Sequence, residues 1–437
     1  FADVNDDFNI NPKSIEEMIG PKTRAIVPVH YAGQMCDMES ISAIAAANDL
    51  LVIEDAAQAF GASLNGKNAG TFSAAAGFSM NPMKALGGYG EAGVVVTDDQ
   101  SVYDRLKRLR HAGTTSDPKK VITNDDLSKL MDTSDQWIQE RTGIVERRWV
   151  DPENQVSSSK MGFYAAEMAI KNSGINKSEV DHILFATISP DYYFPGNGVL
   201  IQDMLEIETI GATDIRNACS GFIYALSVAN AYIQTGQYKN ILVIGSELQS
   251  PVLDKSTKGR DLSVIFGDGA GAAVISRSYD ESEIYSTHLH SEGKNSLELS
   301  MQGPSAIHWL DEVQSNGEKS SLFSPQMNGK FIFKNAIVRF EEVIKEVLEK
   351  NSMKLEEIDC LIPHQANLRI SQFIQKKLKL KDDQVFNNIQ KYGNTTGASI
   401  PIAMSEAIQN NFIKTGDIVC LAAFGAGFTW GSTLLKY

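Results

Sequence analysis

The sequence predicts an α/β protein built of more than one folding unit. Short β-rich runs alternate with helical stretches along the chain, and 437 residues exceed what one core ordinarily serves. The periodicity breaks at the polar, proline-containing TTSDPKK between Thr114 and Lys120, which marks a domain boundary. With 43% hydrophobic residues the chain can bury several cores. Its 54 acidic against 40 basic side chains, net charge −14, repel phosphate backbones and anionic lipid, so nucleic acid and membrane surfaces are poor partners. Cys36, Cys219, Cys360 and Cys420 lie far apart without metal-ligand spacing, so neither a disulfide framework nor a metal site is expected. No apolar run approaches the roughly 18 residues that span a bilayer, and FADVNDDFNI is no signal peptide, so a cytoplasmic location is expected.

In residues 1–115, SIEEMI and MESISAIAAAND carry helical periodicity, while TRAIVPVHYAG, LLVIEDAA and GVVVTDD read as strands of a parallel α/β layer. VYDRLKRLRHAG closes this segment as a helix. A second α/β series follows, divided into 116–285 and 286–437. The Ser-, Glu-, Asn- and Gly-rich stretch over 280–325 (DESEIYSTHLHSEGKNS, QSNGEKSSLFSPQ) reads as a surface excursion between the halves.

Cys219 stands just before a helix whose apolar residues Phe222, Ala225, Leu226, Ala229 and Ile233 fall at helical spacing. Unpaired N–H groups at a helix start favour a thiolate, so a lowered thiol pKa and a nucleophilic sulfur are expected. His364 ends the apolar run IDCLIPH, and Asn394 lies in a glycine-flanked turn ahead of SIPIAMSEAIQ. Taken singly, a buried core cysteine, a structural histidine and a turn asparagine are the plainer readings. Together, the three residue types suit a carbanion-forming acyl transfer.

The motifs DTSDQWIQERTGIVERR (132–148), NACSGFIYALSVA (217–229), VIFGDGAGAAVI (264–275), PHQANLRI (363–370), GNTTGAS (393–399) and FGAGFTWGS (424–432) occur in one order. On these, residues from about 121 to 437 resemble β-ketoacyl-acyl-carrier-protein synthase III, a condensing enzyme with the duplicated α/β/α/β/α layers of the thiolase fold. The resemblance implies that Cys219 takes an acyl group from acyl-coenzyme A, and that His364 and Asn394 donate to the thioester carbonyl of malonyl-carrier protein during decarboxylative condensation in fatty-acid or related lipid biosynthesis. Acyl transfer to an amine or hydroxyl without decarboxylation is the variant on the same fold. The N–H groups of Cys219 and Ala426 would form the oxyanion hole; Ala426 replaces a family glycine and would be strained if the turn needs a positive φ there. Trp137 and Arg260 would bracket the adenine of coenzyme A, with Thr133, Arg141 and Asn367 along its channel. Lys334, Arg369, Lys376 and Lys377 would dock an acidic carrier protein. The resemblance also implies a homodimer, and no cofactor or metal.

Residues 1–115 carry a second resemblance, through LLVIEDAAQAFGA and AAGFSMNPMKALGGYGEAGVVVTDD, to part of the pyridoxal phosphate-dependent sugar aminotransferases of the DegT/DnrJ/EryC1 type. It implies Asp55 at the pyridine nitrogen, Gln58 near the ring hydroxyl, Ser79 at the phosphate and Lys84 as imine-forming lysine, in a fragment in which bound cofactor is not expected. The formal GxGxxG of Gly88–Gly93 precedes a strand and not a helix, which argues against a dinucleotide site. Ahead of residue 121 the synthase family has an apolar strand, where this chain reads YDRLKRLRHAGTTSDPKK; a sheet lacking a central strand, as in a joining of two partial genes, is the expectation.

Overall fold

In the computed structural model, residues 1–81, 84–85, 93–100, 102–103, 119–150, 156–278, 283–303, 305 and 324–437 are described. The expected helix VYDRLKRLRHAG beyond Tyr103, most of QSNGEKSSLFSPQ and all of the GxGxxG except Gly93 lie outside them. The chain divides into two compact units, Phe1–Asp117 and Pro118–Tyr437.

The first unit contains α1 (Pro12–Met18), α2 (Met38–Ala47) and strands β1 (Ala25–Ile26), β2 (Leu51–Asp55), β3 (Ser63–Leu64), β4 (Lys67–Asn68), β5 (Ala75–Ser79) and β6 (Gly93–Val96). Pro12 opens α1 and the Asp37 side chain caps α2, each at the position where a helix leaves N–H groups unpaired. The main sheet runs β1-β2-β5-β6; β1, β2 and β5 are parallel, but β6 is antiparallel to β5, which corrects the all-parallel expectation. One face of β2 buries Val52 and Glu54, whose carboxylate accepts the N–H groups of Gly70 (2.8 Å) and Phe72 (2.9 Å) and meets His30 Nε2 at 3.0 Å. Along the other face Val27, Val29, Leu51, Ile53 and Val95 are exposed. Parallel sheets are ordinarily covered on both sides, so this is an incomplete layer.

The second unit opens with β7 (Lys119–Thr123), α3 (Asn124–Ser128), α4 (Asp135–Thr142) and β8 (Glu146–Val150), β7 and β8 forming a two-stranded ribbon. Next come α5 (Ser158–Ser173), β9 (His182–Ala186), α6 (Asn197–Met204), β10 (Gly211–Ile215), α7 (Gly221–Gln234), β11 (Asn240–Glu247), α8 (Arg260–Ser263) and β12 (Gly269–Ser276). The remainder is β13 (Glu283–Ser291), β14 (Leu299–Ser300), β15 (Gln326–Met327), α9 (Gly329–Lys350), β16 (Cys360–Pro363), α10 (Leu368–Leu378), α11 (Ile389–Tyr392), α12 (Ser399–Gln409), β17 (Ile418–Gly425) and β18 (Thr429–Lys436). The expected excursion from 280 is therefore partly wrong: β13 within it pairs with β18 along its length.

Two sheets, β10-β9-β11-β12 and β13-β18-β17-β16, share one plan. In each, the long strand (β11, β17) pairs in parallel with an earlier strand (β9, β16) and antiparallel with the one that follows it (β12, β18). Between the sheets lie α7 and α12, where Phe222, Leu226 and Ala229 meet Ile400, Ala403 and Ala407 in one core with strands of both. On the outer faces, β9 and β11 pack with α5 and α6, and β17 and β18 with α9 and α10. Helix, sheet, helix, sheet, helix is the layering the resemblance implies.

By this internal symmetry the partner of β13 in the first half would be an edge strand beside β12. The expectation of a missing central strand is thus overturned: β10, β9, β11 and β12 form an uninterrupted ladder. Among the described residues no strand pairs with the outer edge of β12. Burial reports the difference, since most of β12 is half-exposed while β18, flanked by β13, is buried over Trp430–Leu435.

Candidate active site

The symmetry places two matching turns at the inner ends of the central helices. Ala218–Ser220 leads into α7 and Thr396–Ala398 into α12, each as a 3-10 turn, with Ala218 (φ 46°) and Thr396 (φ 51°) both in the left-handed region. Residues outside glycine hold that conformation only when their surroundings impose it, a common feature of functional turns. Cys219 follows the first turn residue. Its counterpart in the second half is Gly397.

A cavity of about 1180 Å³ lies in the second unit, lined among others by Cys219, His364, Asn394, Gly425 and Ala426. Residues 145 and 175 positions from Cys219 thus reach one wall of the same space. Cys219 is buried, and the N–H groups of Ala426 and of Cys219 itself reach its sulfur. Burial, then the nearby Glu247, push the thiol up to about 12, so the expected lowering by the helix start is overturned: desolvation of a thiolate outweighs it. Positive φ in the FGAGFTWG turn falls on Gly427 (φ 130°), and Ala426 is unstrained, which removes the expected objection to alanine. Gly425 is the position without room, since a Cβ there would lie 2.6 Å from Cys219 Cβ.

His364 continues β16, and its N–H bonds to the Ala422 carbonyl of β17 at 2.8 Å. Nδ1 meets Ser399 Oγ at 2.6 Å. That hydroxyl also accepts the Gln365 N–H at 3.4 Å; where it donates its own hydrogen to Nδ1, the imidazole proton is left on Nε2. Nε2 is buried with no protein partner. Burial pushes the His364 pKa down to about 3, and the ring is neutral across the working range. Asn394 is held by Ile265 and Gly267 through its main chain (2.8 and 3.0 Å), and its Oδ1 accepts the Thr396 N–H at 2.8 Å. The amide nitrogen is left as donor. His364 and Asn394 therefore offer two neutral donors in one cavity.

The remaining expected residues are dispersed around this centre. Trp137, Arg141 and Asn367 line the cavity; Thr133 and Arg260 do not. Trp137 lies between two guanidinium groups, Arg141 at 4.3 Å and Arg260 at 4.7 Å from the ring, so Trp137 and Arg260 are in contact and leave no slot for a base between them. Asn367 caps α10 through the Arg369 N–H (2.9 Å) and donates to the Arg141 carbonyl (3.0 Å), while Thr133 Oγ1 is buried without a partner. Exposed Lys334 and Arg369 line the cavity with Lys330, a cation that sequence reasoning missed. Lys376 is exposed away from it, and Lys377 is ion-paired with Glu341. Sequence reasoning also missed Ser399 and Gly425; both stand inside the quoted motifs, but nothing in spacing says that one orients an imidazole or that the other meets a sulfur.

In the first unit Asp55 and Ser79 end the neighbouring strands β2 and β5. Asp55 Oδ1, Gln58 Oε1 and Ser79 Oγ accept main-chain N–H groups of Ala57, Ala32 and Asn81. Among the described residues no hydrogen bond or ion pair joins any two of Asp55, Gln58, Ser79 and Lys84. Leu51 and Ile53, which share a face of β2 with Asp55, are exposed, so the described residues give a pyridoxal ring no enclosing wall there.

Residues 213–293 match the family 3-oxoacyl-[acyl-carrier-protein (ACP)] synthase III, and residues 348–437 its C-terminal family. Beta-ketoacyl-[acyl-carrier-protein] synthase III of Aquifex aeolicus is 43% identical over 320 residues, covering 73% of this chain and 96% of that protein. The chain belongs to this synthase family. The counterpart from Clostridium acetobutylicum is 42% identical with 95% of its length covered. The crystal structure of the Aquifex synthase superimposes with a TM-score of 0.67 over 96% of its chain, and the priming β-ketosynthase of the R1128 polyketide pathway, 29% identical, also gives 0.67. Residues 1–129 match the DegT/DnrJ/EryC1/StrS aminotransferase family. Among the described residues no helix is long and apolar enough to cross a membrane.

Proposed function

We propose that this chain loads an acyl group from acyl-coenzyme A onto Cys219 and condenses it with malonyl-acyl carrier protein, releasing CO₂ and a β-ketoacyl product. The observation that carries the reading is the convergence of a thiol, two neutral side-chain donors and two main-chain N–H groups on one cavity.

In loading, the Cys219 sulfur bonds to the acyl carbonyl, coenzyme A leaves as the thiol, and the Cys219 proton ends on its sulfur. The N–H groups of Cys219 and Ala426 receive the oxyanion of the tetrahedral intermediate. In condensation, His364 Nε2–H and Asn394 Nδ2–H donate to the malonyl thioester oxygen. The carbon–carboxylate bond breaks, CO₂ departs, and its electron pair becomes an enolate whose oxygen the two donors hold. The enolate carbon attacks the acyl-cysteine carbonyl, and the sulfur leaves and regains a proton. Neutral donors suit this step, because a charged imidazolium would hold the malonyl carboxylate and oppose loss of CO₂.

Trp137 would stack the adenine on displacement of Arg260, and Thr133 would supply its unpartnered hydroxyl. Lys334, Arg369 and Lys330 form the entrance for an acidic carrier protein; Lys376 and Lys377 contribute less, Lys377 being paired already. A homodimer through the open edge of β10 and exposed Tyr192, Tyr193 and Phe194 belongs to the same reading, as does a reducing cytoplasm for four unpaired cysteines. The test is intact-protein mass spectrometry after incubation with acyl-coenzyme A. An acyl mass gain that Cys219→Ser abolishes is expected, followed by β-ketoacyl product on adding malonyl-carrier protein. Equal labelling of the variant would refute the assignment.

A further inference from the structure

Glu247, the last residue of β11, is fully buried next to the site and no step of the proposed chemistry uses it. Its carboxylate collects donors from three segments. Oε2 accepts the hydroxyls of Thr187 (3.2 Å) and Ser189 (2.8 Å), the Ile188 N–H (3.2 Å) and Gln249 Nε2 (3.5 Å), while Oε1 accepts the Gly397 N–H at 3.3 Å. Four of these donors belong to the first half of the second unit and one to the second half. A buried carboxylate costs several kcal/mol of desolvation, which a purely structural site ordinarily avoids.

Gly397 is wedged in place. A Cβ there would lie 3.1 Å from Glu247 Oε1 and 3.1 Å from the Ala218 carbonyl, and a Cβ on Gly245 would meet the Gly397 carbonyl at 2.6 Å. The turn Thr396–Ala398 therefore rests directly on β11, with Glu247 as its polar anchor. Both condensation donors hang from that turn: the Thr396 N–H holds the Asn394 amide, and Ser399, the next residue after the turn, bonds His364 Nδ1. The loading groups, Cys219 and Ala426, are held instead by Gly425 and the start of α7.

We infer that Glu247 is a positioning residue for condensation: from the opposite half of the fold it anchors the turn that aims Asn394 and His364, and it leaves acyl loading to other residues. The inference rests on the proposed synthase activity and separates its two half-reactions. In Glu247→Gln an amide NH₂ replaces one oxygen and faces N–H donors, which displaces the turn without creating a cavity.

The experiment measures, for the full chain, acyl adduct formation on Cys219 by mass spectrometry and ketoacyl formation from preloaded enzyme with malonyl-carrier protein. Glu247→Gln is expected to lower kcat of condensation at least tenfold while the loading rate is kept or raised, since the carboxylate that pushes the Cys219 thiol up is gone, and the KM for acyl-coenzyme A stays within about twofold of wild type. Gly245→Ala, whose Cβ would meet the Gly397 carbonyl at 2.6 Å and so pushes the turn from β11, is expected to show the same split and covers failure of the first variant to fold. Equal loss of loading and condensation in both variants, or condensation at the wild-type rate in either, overturns the inference. Absence of condensation in wild type overturns the synthase reading itself.

Discussion

At His364 a hydrogen-bond partner and burial act in the same direction. A proton on Nε2 is the tautomer in which Nδ1 accepts the Ser399 hydroxyl, and burial keeps the ring neutral, so in the proposed chemistry the residue donates without carrying charge. His364→Ala is expected to lower condensation about 10²–10³-fold, as loss of one donor to a developing oxyanion does, while mass-spectrometric loading of Cys219 persists. Ser399→Ala frees the tautomer and is expected to cost about tenfold or more in condensation rate with loading intact. The same burial has a stability consequence. The folded-state pKa of about 3 lies below the ordinary 6.5, so the unfolded chain takes up a proton that the folded chain refuses. That contribution is present above pH 6.5 and is lost as pH falls toward 3. Urea titrations between pH 7 and 4 are expected to show a shallower loss of stability for His364→Gln than for wild type.

Among elements, the β7–β8 ribbon and the β17–β18 turn carry the sharpest dependence on single residues. Arg147 of β8 is fully buried and donates to the carbonyls of Ile122 (3.1 Å) and Val264 (2.9 Å), tying the ribbon to the segment that holds Asn394. Burial pushes its pKa down to about 10, and it remains charged. Arg147→Met removes both side-chain hydrogen bonds and is expected to destabilise the second unit by about 2–4 kcal/mol in urea unfolding. Gly425→Ala puts a methyl against Cys219, and adduct formation is expected to fall about 10²-fold with little change in melting temperature, since both backbones end at the cavity. The motifs were legible as motifs, but their internal division of labour was not. In VIFGDGAGAAVI the buried Asp268 accepts the N–H groups of Val150, Gln249 and Ser250, so one acidic residue ties two distant segments to its own, a role that no local spacing encodes.

For the whole molecule, the two units differ in how completely they bury what they order. The second has a core shared by both of its sheets, while the first leaves an apolar sheet face exposed. Calorimetry is expected to show two transitions, the first unit melting at the lower temperature, and bound acyl-coenzyme A raising only the higher one. A single transition that shifts as a whole would contradict independent units. The sequence by itself determined the α/β class and the layered second unit, and it pointed to a boundary between Thr114 and Lys120 and to Cys219, His364 and Asn394 as candidates, because periodicity and residue order survive without coordinates. Only the tertiary structure decided that the thiol is raised and not lowered, that among the described residues the unpaired edge is beside β12, that Trp137 already meets two arginines, and that no hydrogen bond joins the described aminotransferase-like residues to one another. These depend on desolvation, on strand order and on close approach between residues far apart in sequence, quantities set by the neighbours a side chain meets in space.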